Sequence, residues 1–305
     1  DRSTVLMMAA MRTTARMWTG FRRLCTSSRR DGDGLATIAV HADASRGASA
    51  SDTSDSDASW GHALDIAPPI GVSTTFSTAD GGPVYSRAVA PTRERAEIVL
   101  AAIERGQSVA EVRSLLYSSG ASATHAALHF ALASAGSRRL CISGGYHGTH
   151  AVAEQLELIR PGLEVAPLPT GEELASWLST RPDSTASARV PPPVMPGDIL
   201  WLETPNNPSC AVSDVALFRR AADAAGGSSS GTLVIVDSTF APPPAQCGLL
   251  DRGADLVIHS TTKSLAGHSD ALGGALLLPE RPVGALQASA YGVLRAQRTV
   301  LGAVP

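Results

Sequence analysis

The stretch DILWLETPNNPSCAVSDVALFRRAADAAGGSSSGTLVIVDST, residues 198–239, decides the fold class of this chain. Its two ends, DILWLET (198–204) and TLVIVDST (232–239), are short apolar runs that stop at polar residues, as buried strands do. Between them, VSDVALFRRAADAAG (212–226) has the spacing of an amphipathic helix. A strand, a helix and a second strand in this order predict a parallel pair with the helix packed across one face.

The same alternation continues on both sides of this unit. RLCISG (139–144) and DLVIHST (255–261) predict two more strands. RERAEIVLAAIERG (93–106) and SATHAALHFALASAG (122–136) predict helices that each end at a glycine. We therefore predict an α/β fold in which helices flank a mostly parallel sheet.

The carboxyl ends of the predicted strands carry polar residues. In parallel sheets, ligands bind beyond these ends. Here the strands end at Glu203, at Asp237 and at the hydroxyl-rich residues that precede Lys263. We expect these side chains to lie along one edge of the sheet.

Composition excludes several classes of protein. The 305 residues carry a net charge of −3, which argues against a nucleic-acid partner. No run of about 18 apolar residues occurs, so no membrane span is expected. The four cysteines are scattered without a C-x-x-C pair, which argues against a disulfide framework or a structural zinc site and favours a reducing compartment.

The first part of the chain differs from the rest. Residues 1–34 are rich in Arg, Ser and Thr, which is typical of an organellar transit peptide or, equally, of a disordered leader. We expect an N-terminal arm over 35–80, with a low-complexity insert at 43–59, and a large domain over 81–300. The expected location is the cytoplasm or an organellar matrix, and secretion is not expected.

The edge residues indicate one kind of cofactor. No G-x-G-x-x-G or G-x-x-x-x-G-K-[ST] motif occurs, so dinucleotides and nucleoside triphosphates are disfavoured. SSGASATHAAL (118–128) is a small-residue turn that runs into a helix; such a turn is either a simple N-cap or a phosphate site. Together with a buried Asp237 and with Lys263, it would supply the three groups that pyridoxal phosphate needs.

These segments resemble the Cys/Met-metabolism enzymes that use pyridoxal phosphate, the group that contains cystathionine γ-lyase, cystathionine γ-synthase and methionine γ-lyase. The resemblance runs from residue 35 to the last residue and implies fold type I of the pyridoxal-phosphate-dependent transferases. Seven motifs follow the order of the family: APPIGVSTTF (67–76), VYSRAVAPTRERAE (84–97), LLYSSGASATHAAL (115–128), SGGYHGTH (143–150), WLETPNNPS (201–209), VIVDSTFAPP (234–243) and HSTTKSLAGHSDALGG (259–274).

The resemblance implies catalytic roles for two residues. Lys263 would form the Schiff base with the cofactor and then shuttle protons, and the Tyr146 ring would stack on the cofactor ring. Asp237 would pair with the ring nitrogen. Asn207 would lie near the ring oxygen, with Glu203 as a polar neighbour.

The resemblance also implies a phosphate site that two subunits share. The backbone amides of Gly120 and Ala121 would bind the phosphate, and so would side-chain hydroxyls and residues of an adjacent subunit. The hydroxyls belong to Ser260 and Thr262, and the residues from the adjacent subunit are Tyr85 and Arg87. The protein would then be a homodimer or homotetramer that binds a small amino-acid substrate.

The sequence departs from the family pattern at several positions. Val89 and Ala90 stand where Gly-Asn is expected, so the loop after Arg87 could sit differently against a neighbouring subunit. Gly144 stands where the family typically has Asp, and His147 stands where it often has Gly. Ser238 replaces the Asn of an Asp-Asn-Thr motif and would make a shorter hydrogen bond.

The last residues raise an expectation about domain content. LGAVP (301–305) resembles the start of the crossover into the small C-terminal domain of the family. That domain, which carries the arginine that binds the substrate carboxylate, is then expected to be largely missing from residues 1–305.

Three functional hypotheses follow. The motif details favour cystathionine γ-lyase, a carbon–sulfur lyase that releases cysteine, 2-oxobutyrate and ammonia. The first alternative is cystathionine γ-synthase or O-acylhomoserine sulfhydrylase, and the second is a non-catalytic fragment that binds the cofactor or assembles with full-length subunits. His125 and His129 have the i, i+4 spacing of some zinc ligands but lack a third ligand, so no metal is expected.

Overall fold

A computed structural model of the protein describes residues 70–77, 84–105, 112–134, 136–180, 191–280 and 290–301. The predicted leader (1–34), the insert at 43–59 and residues 302–305 lie outside these ranges. The helices are α1 (Pro91–Arg105), α2 (Gly120–Ser134), α3 (His147–Ile159), α4 (Gly171–Ser179), α5 (Val215–Ala224) and α6 (Ala290–Leu301). The strands are β1 (Val112–Tyr117), β2 (Arg139–Cys141), β3 (Glu164–Ala166), β4 (Asp198–Glu203), β5 (Leu233–Asp237), β6 (Leu256–Ser260) and β7 (Gly274–Pro279).

The seven strands form one sheet in the order β1-β7-β6-β5-β4-β2-β3. The pairs β2–β3, β2–β4, β4–β5 and β5–β6 are parallel, whereas β7 runs antiparallel to both of its neighbours, β1 and β6. Since β1 is antiparallel to β7, it runs in the same direction as the other five strands. The predicted mostly parallel α/β sheet is confirmed.

Each face of the sheet has its own hydrophobic core. Alternate residues of β4 show this: Ile199 and Trp201 pack on one side with α2, α3 and α6, and Leu200 and Leu202 pack on the other with α4 and α5. Because helices cover both faces, a central strand is apolar at every position rather than at every second one. This explains the continuous apolar runs that predicted the strands.

The helix α5 begins at Val215, three residues after the start of the predicted helical stretch. The carboxylate oxygen Oδ1 of Asp214 accepts hydrogen bonds from the backbone N–H groups of Ala216 (3.0 Å) and Leu217 (3.3 Å), which caps the helix. Val215 and Phe218 are buried against the sheet. The predicted helical stretch 212–226 therefore contains the helix, but its first three residues belong to the connection from β4.

Among the residues that the structure describes, no helix is both long enough and apolar enough to cross a membrane.

Candidate functional site

The carboxyl ends of three adjacent strands meet at one edge of the sheet. β4 ends at Glu203, β5 at Asp237 and β6 at Ser260. In the strand register, Glu203 pairs with Asp237, and Asp237 pairs with Ile258, two residues before Ser260. The polar side chains that the sequence predicted at this edge are therefore neighbours.

The N-terminus of α2 packs directly against the end of β6. A Cβ atom at Gly120 would lie 2.9 Å from Cβ of Ser260, so only glycine allows the backbone to come this close. Ser119 caps the helix, since its Oγ accepts a hydrogen bond from the N–H of Ser122 at 3.0 Å. The first N–H groups of a helix have no acceptor inside the helix and can bind an anion. The amides of Gly120 and Ala121 thus begin α2 beside the Ser260 hydroxyl.

Lys263 lies in a turn just after β6, and its side chain is exposed in the single chain. Its N–H donates to the carbonyl of Ser260 at 3.3 Å, and its own carbonyl accepts from the N–H of Gly267 at 2.8 Å. The hydroxyl of Thr262 donates to the carbonyl of Gly273 (3.2 Å) and accepts from its N–H (3.1 Å). By these two hydrogen bonds to the backbone of Gly273, Thr262 fixes the loop that carries Lys263.

Asp237 is buried and is held by a residue that the sequence analysis did not assign. The N–H of Thr239 donates to Oδ1 of Asp237 at 3.0 Å, and Oγ1 of Thr239 accepts from the N–H of Ser260 at 2.8 Å. Burial raises the pKa of Asp237 above its ordinary value, and the hydrogen bonds from Thr239 oppose this rise. The signal was present in the sequence, because an Asp often accepts from the N–H two residues later in a turn.

Tyr146 and Asn207 lie on two loops that Glu203 connects. Tyr146 precedes the first residue of α3 and is 43% exposed; its ring centroid lies 4.6 Å from that of His147. The Glu203 carboxylate accepts hydrogen bonds from the N–H groups of Tyr146 (2.6 Å) and Asn207 (2.8 Å). Glu203 was predicted only as a polar neighbour, so this double contact is new information from the structure.

Tyr85 and Arg87 belong to the segment that precedes α1. Tyr85 forms a β-bridge with Thr75, and the Arg87 guanidinium lies 5.6 Å from the centre of the Tyr85 ring. The guanidinium Nη1 also donates to the carbonyl of Thr299, near the end of α6, at 2.7 Å. Within one chain, Arg87 therefore contacts both Tyr85 and α6.

Two departures from the family pattern have a structural explanation. The buried hydroxyl of Ser238 donates to the carbonyl of Ala241 at 3.0 Å, which is a local bond, as expected for a side chain shorter than Asn. Gly144 has φ of +59°, in the left-handed region that favours glycine, and its carbonyl is 2.7 Å from Nε2 of His150.

The two histidines with i, i+4 spacing lie side by side on α2. The rings of His125 and His129 are stacked with their centroids 6.0 Å apart, and Nδ1 of His129 is 3.0 Å from Nε2 of Gln297. Across the described ranges, no group of three or more His, Cys, Asp or Glu residues could hold a metal ion.

The residues at this edge fit pyridoxal phosphate. The contact between Gly120 and Ser260 leaves a helix N-terminus and a hydroxyl side by side, the arrangement that binds a phosphate. The buried Asp237 is an acid suited to a protonated ring nitrogen, and Lys263 provides a primary amine on the adjacent loop.

Comparison with known proteins agrees with this fit. Residues 54–293 match the profile of a family described as Cys/Met metabolism PLP-dependent enzymes. The chain is 34% identical over 214 residues to a cystathionine γ-synthase of Mycobacterium bovis, an alignment that covers 68% of this chain and 48% of the relative. It is 31% identical over 247 residues to a cystathionine γ-lyase of Saccharomyces cerevisiae, with 79% of this chain and 54% of the relative covered.

The fold has solved counterparts among the same enzymes. A crystal structure of a cystathionine γ-lyase from Micromonospora echinospora superposes with a TM-score of 0.63 at 32% identity, covering 90% of this chain and 61% of that one. The chain spans about half the length of the curated relatives it matches, 48% and 54% for the two above.

Proposed function

This chain belongs to the Cys/Met metabolism family of pyridoxal-phosphate-dependent enzymes, and we propose that it acts as a cystathionine γ-lyase. The reaction converts cystathionine and water to cysteine, 2-oxobutyrate and ammonia. The 32% identity to a cystathionine γ-lyase of known structure supports the choice of reaction. The observation that carries the cofactor chemistry is the meeting of three groups at one edge of the sheet. These are the α2 N-terminus against Ser260, the buried Asp237, and the loop of Lys263.

The phosphate end of the site is formed by backbone and hydroxyl groups. The N–H groups of Gly120 and Ala121 and the hydroxyl of Ser260 would bind the phosphate, with the positive end of the α2 dipole behind them. Thr262 remains a predicted phosphate ligand. To act as one, its hydroxyl would exchange the carbonyl of Gly273 for a phosphate oxygen.

The ring end of the site depends on Asp237, Tyr146 and Asn207. When bound, pyridoxal phosphate draws electrons from the α-carbon of an amino acid, provided that its ring nitrogen stays protonated. The buried carboxylate of Asp237 would hold that proton, because an opposite charge in a site with little water is strongly favoured. The same positive charge would lower the pKa of Asp237, which burial alone raises. The Tyr146 ring would stack on the cofactor ring, and the Asn207 amide would contact the ring oxygen.

Lys263 would carry the covalent and acid–base work. Its amine would hold the cofactor covalently and, once the substrate displaces it, would accept the proton from the substrate α-carbon. Its position on a loop tied at both ends, by Ser260 and Gly267, would let the amine stay near the reacting carbon after its release.

A second candidate is cystathionine γ-synthase. The observation that favours it is the 34% identity to the enzyme of that name from Mycobacterium bovis. The synthase joins O-acylhomoserine and cysteine, and it would use the same cofactor-binding residues. The difference between the two reactions would therefore lie in substrate contacts.

Product analysis tests the proposal. The protein is incubated with pyridoxal phosphate and cystathionine, or with O-acylhomoserine and cysteine, and the products are separated by chromatography. We expect cysteine and 2-oxobutyrate from cystathionine, with both lost in Lys263→Ala. Borohydride reduction followed by peptide mapping should put the cofactor label on Lys263. If cystathionine forms from the second mixture and is not cleaved in the first, the protein is a synthase. If the label is on another residue, the site assignment is wrong.

We also propose that active sites are shared between two subunits through Tyr85 and Arg87. Both side chains are exposed in the single chain, and the planar guanidinium suits a phosphate. Mixing Arg87→Ala with Lys263→Ala chains should restore activity, because one site of each mixed dimer then has both groups. Sharing would be refuted by verified mixed dimers that have no more activity than either variant alone.

A further inference from the structure

The side chain of Glu203 joins the two loops that carry Tyr146 and Asn207. Its Oε2 accepts a hydrogen bond from the backbone N–H of Tyr146 at 2.6 Å, and its Oε1 accepts one from the backbone N–H of Asn207 at 2.8 Å. Hydrogen bonds of this length to a carboxylate are the stronger, charge-assisted kind. One carboxylate therefore fixes the backbone of both residues.

The surrounding sequence leaves room for this contact. Gly145 has φ of +85°, and a Cβ atom there would collide with Oε2 of Glu203. Tyr146 is the N-cap residue of α3 and makes no capping hydrogen bond through its own side chain. A carboxylate at a helix N-terminus is favoured by the helix dipole. Glu203 thus supplies, from β4, a negative charge that α3 does not provide for itself.

We propose that Glu203 is a positioning residue that sets Tyr146 and Asn207 in one arrangement at the cofactor site. This inference rests on the proposed function, which assigns Tyr146 and Asn207 to the cofactor ring. Glu203 itself need not touch the cofactor or the substrate. Its carboxylate acts through the backbone of the two residues that do.

The charge of Glu203 makes this arrangement sensitive to pH. Burial raises the pKa of Glu203 to about 7; the N–H groups of Tyr146 and Asn207 oppose the rise, Asp237 on β5 adds to it, and His150 on α3 lowers it. Above this pH both oxygens are free to accept, whereas below it one oxygen carries a proton and accepts more weakly. The hold on Tyr146 and Asn207 should therefore strengthen as pH rises through about 7.

Amide NMR of the cofactor-free protein tests the geometry. In the wild type, we expect the amide protons of Tyr146 and Asn207 to shift together, with one midpoint, as pH is changed. Glu203→Gln should abolish this joint titration. The control Glu157→Gln, at an exposed position of the same helix α3, should keep it. The inference would be overturned by wild-type amides with separate midpoints or no titration. The inference would also be overturned if the two amides still titrated together in Glu203→Gln, since the titration would then come from another group such as His150.

Cofactor binding provides the second measurement. The glutamine amide can accept from one backbone N–H but opposes the other with its own N–H groups, so one charge-assisted hydrogen bond is lost. We expect the dissociation constant for pyridoxal phosphate to rise about tenfold in Glu203→Gln and to stay unchanged in Glu157→Gln. The visible circular dichroism of the bound cofactor should lose its pH dependence near neutrality. Equal affinities in both variants would overturn the positioning role. A wild type that fails to bind the cofactor at Lys263 would instead overturn the proposed function and leave the amide result valid.

Discussion

At the scale of single residues, Glu104 shows how burial away from the site favours the protonated form of a carboxyl group. It lies near the end of α1 and is 1% exposed, and its Oε1 accepts a hydrogen bond from the N–H of Leu249 at 2.9 Å. Burial raises its pKa to about 7; the hydrogen bond from Leu249 opposes this shift, and the charge of Asp251 adds to it. The folded protein therefore holds a proton on Glu104 more tightly than the unfolded chain does.

A raised pKa in the folded state fixes the sign of a pH effect. The stability that Glu104 contributes is complete below its ordinary pKa of 4.5 and is lost as pH rises through about 7. Replacing Glu104 with Gln should remove this loss, on the order of 3 kcal/mol between about pH 5 and pH 9. Urea unfolding across this range measures it, with the exposed Glu154→Gln as control. A Glu104→Gln protein whose stability falls with pH as steeply as that of the wild type would contradict the assignment.

At the scale of secondary structure, the sequence predicted four of the seven strands of the described sheet and three of the helices that pack on it. Hydrophobic runs and helical spacing are local signals, and they located β2, β4, β5, β6, α1, α2 and α5. Three strands, β1, β3 and β7, were not predicted, and neither was the antiparallel direction of β7. GALLLP (274–279) is as apolar as the parallel strands, and periodicity does not encode direction. The available signal was the link from β6 to β7, which contains no helix, whereas a parallel crossover usually needs one.

Part of the candidate site could also be predicted from the sequence. The places of Asp237, Ser260 and Lys263 at one edge of the sheet could be predicted because each lies at the end of a strand or just after it. Their roles toward a cofactor stay predictions. The contacts of Thr239 with Ser260 and of Glu203 with Tyr146 could not, since they depend on the register between strands and on loop paths. For Glu203, the two acceptor bonds reach residues 57 and 4 positions away in sequence. The bond to Asn207 is local, but no local pattern joins Glu203 to Tyr146.

The junction between α2 and β6 yields a prediction at this scale. Gly120→Ala would place a Cβ 2.9 Å from Ser260, and the helix and the strand would have to separate. We expect a loss of about 1 to 3 kcal/mol in unfolding free energy and a clear loss of cofactor affinity. The control is Gly292→Ala in α6, where the new Cβ meets nothing within 4 Å. That change should stabilise the protein by up to about 1 kcal/mol. Urea unfolding and cofactor titration compare the two variants. We expect Gly120→Ala to lower the unfolding free energy and Gly292→Ala to raise it.

At the scale of the whole molecule, a buried ionic cluster connects elements that are far apart in sequence. Arg298 of α6 pairs through Nη1 with Oε1 of Glu97 in α1, and the same oxygen accepts from the N–H of Leu116 in β1 at 2.8 Å. Arg93, also buried, lies 3.9 Å from Glu97 through Nε and donates to the carbonyl of Ser86 at 2.8 Å. The cluster therefore holds the segment of Tyr85 and Arg87 against the sheet and α6.

Removing one charge from this cluster should lower the free energy of unfolding far more than removing a similar charge from the surface. Arg298→Met leaves Glu97 buried with its main partner gone, and such losses amount to about 3 to 5 kcal/mol. The control is Arg295→Met on the same helix, whose partner Glu94 is 3.9 Å away and partly exposed; it should cost less than about 1 kcal/mol.

The pH dependence of this loss separates the effect of charge from that of packing. Burial already raises the pKa of Glu97 and Arg298 opposes that rise, so the variant should raise it further. Because stability from such a group is lost as pH rises, the deficit of Arg298→Met should be larger at about pH 8 than at about pH 5. A deficit that is equal at both values in urea unfolding would mean that Arg298 acts by packing alone.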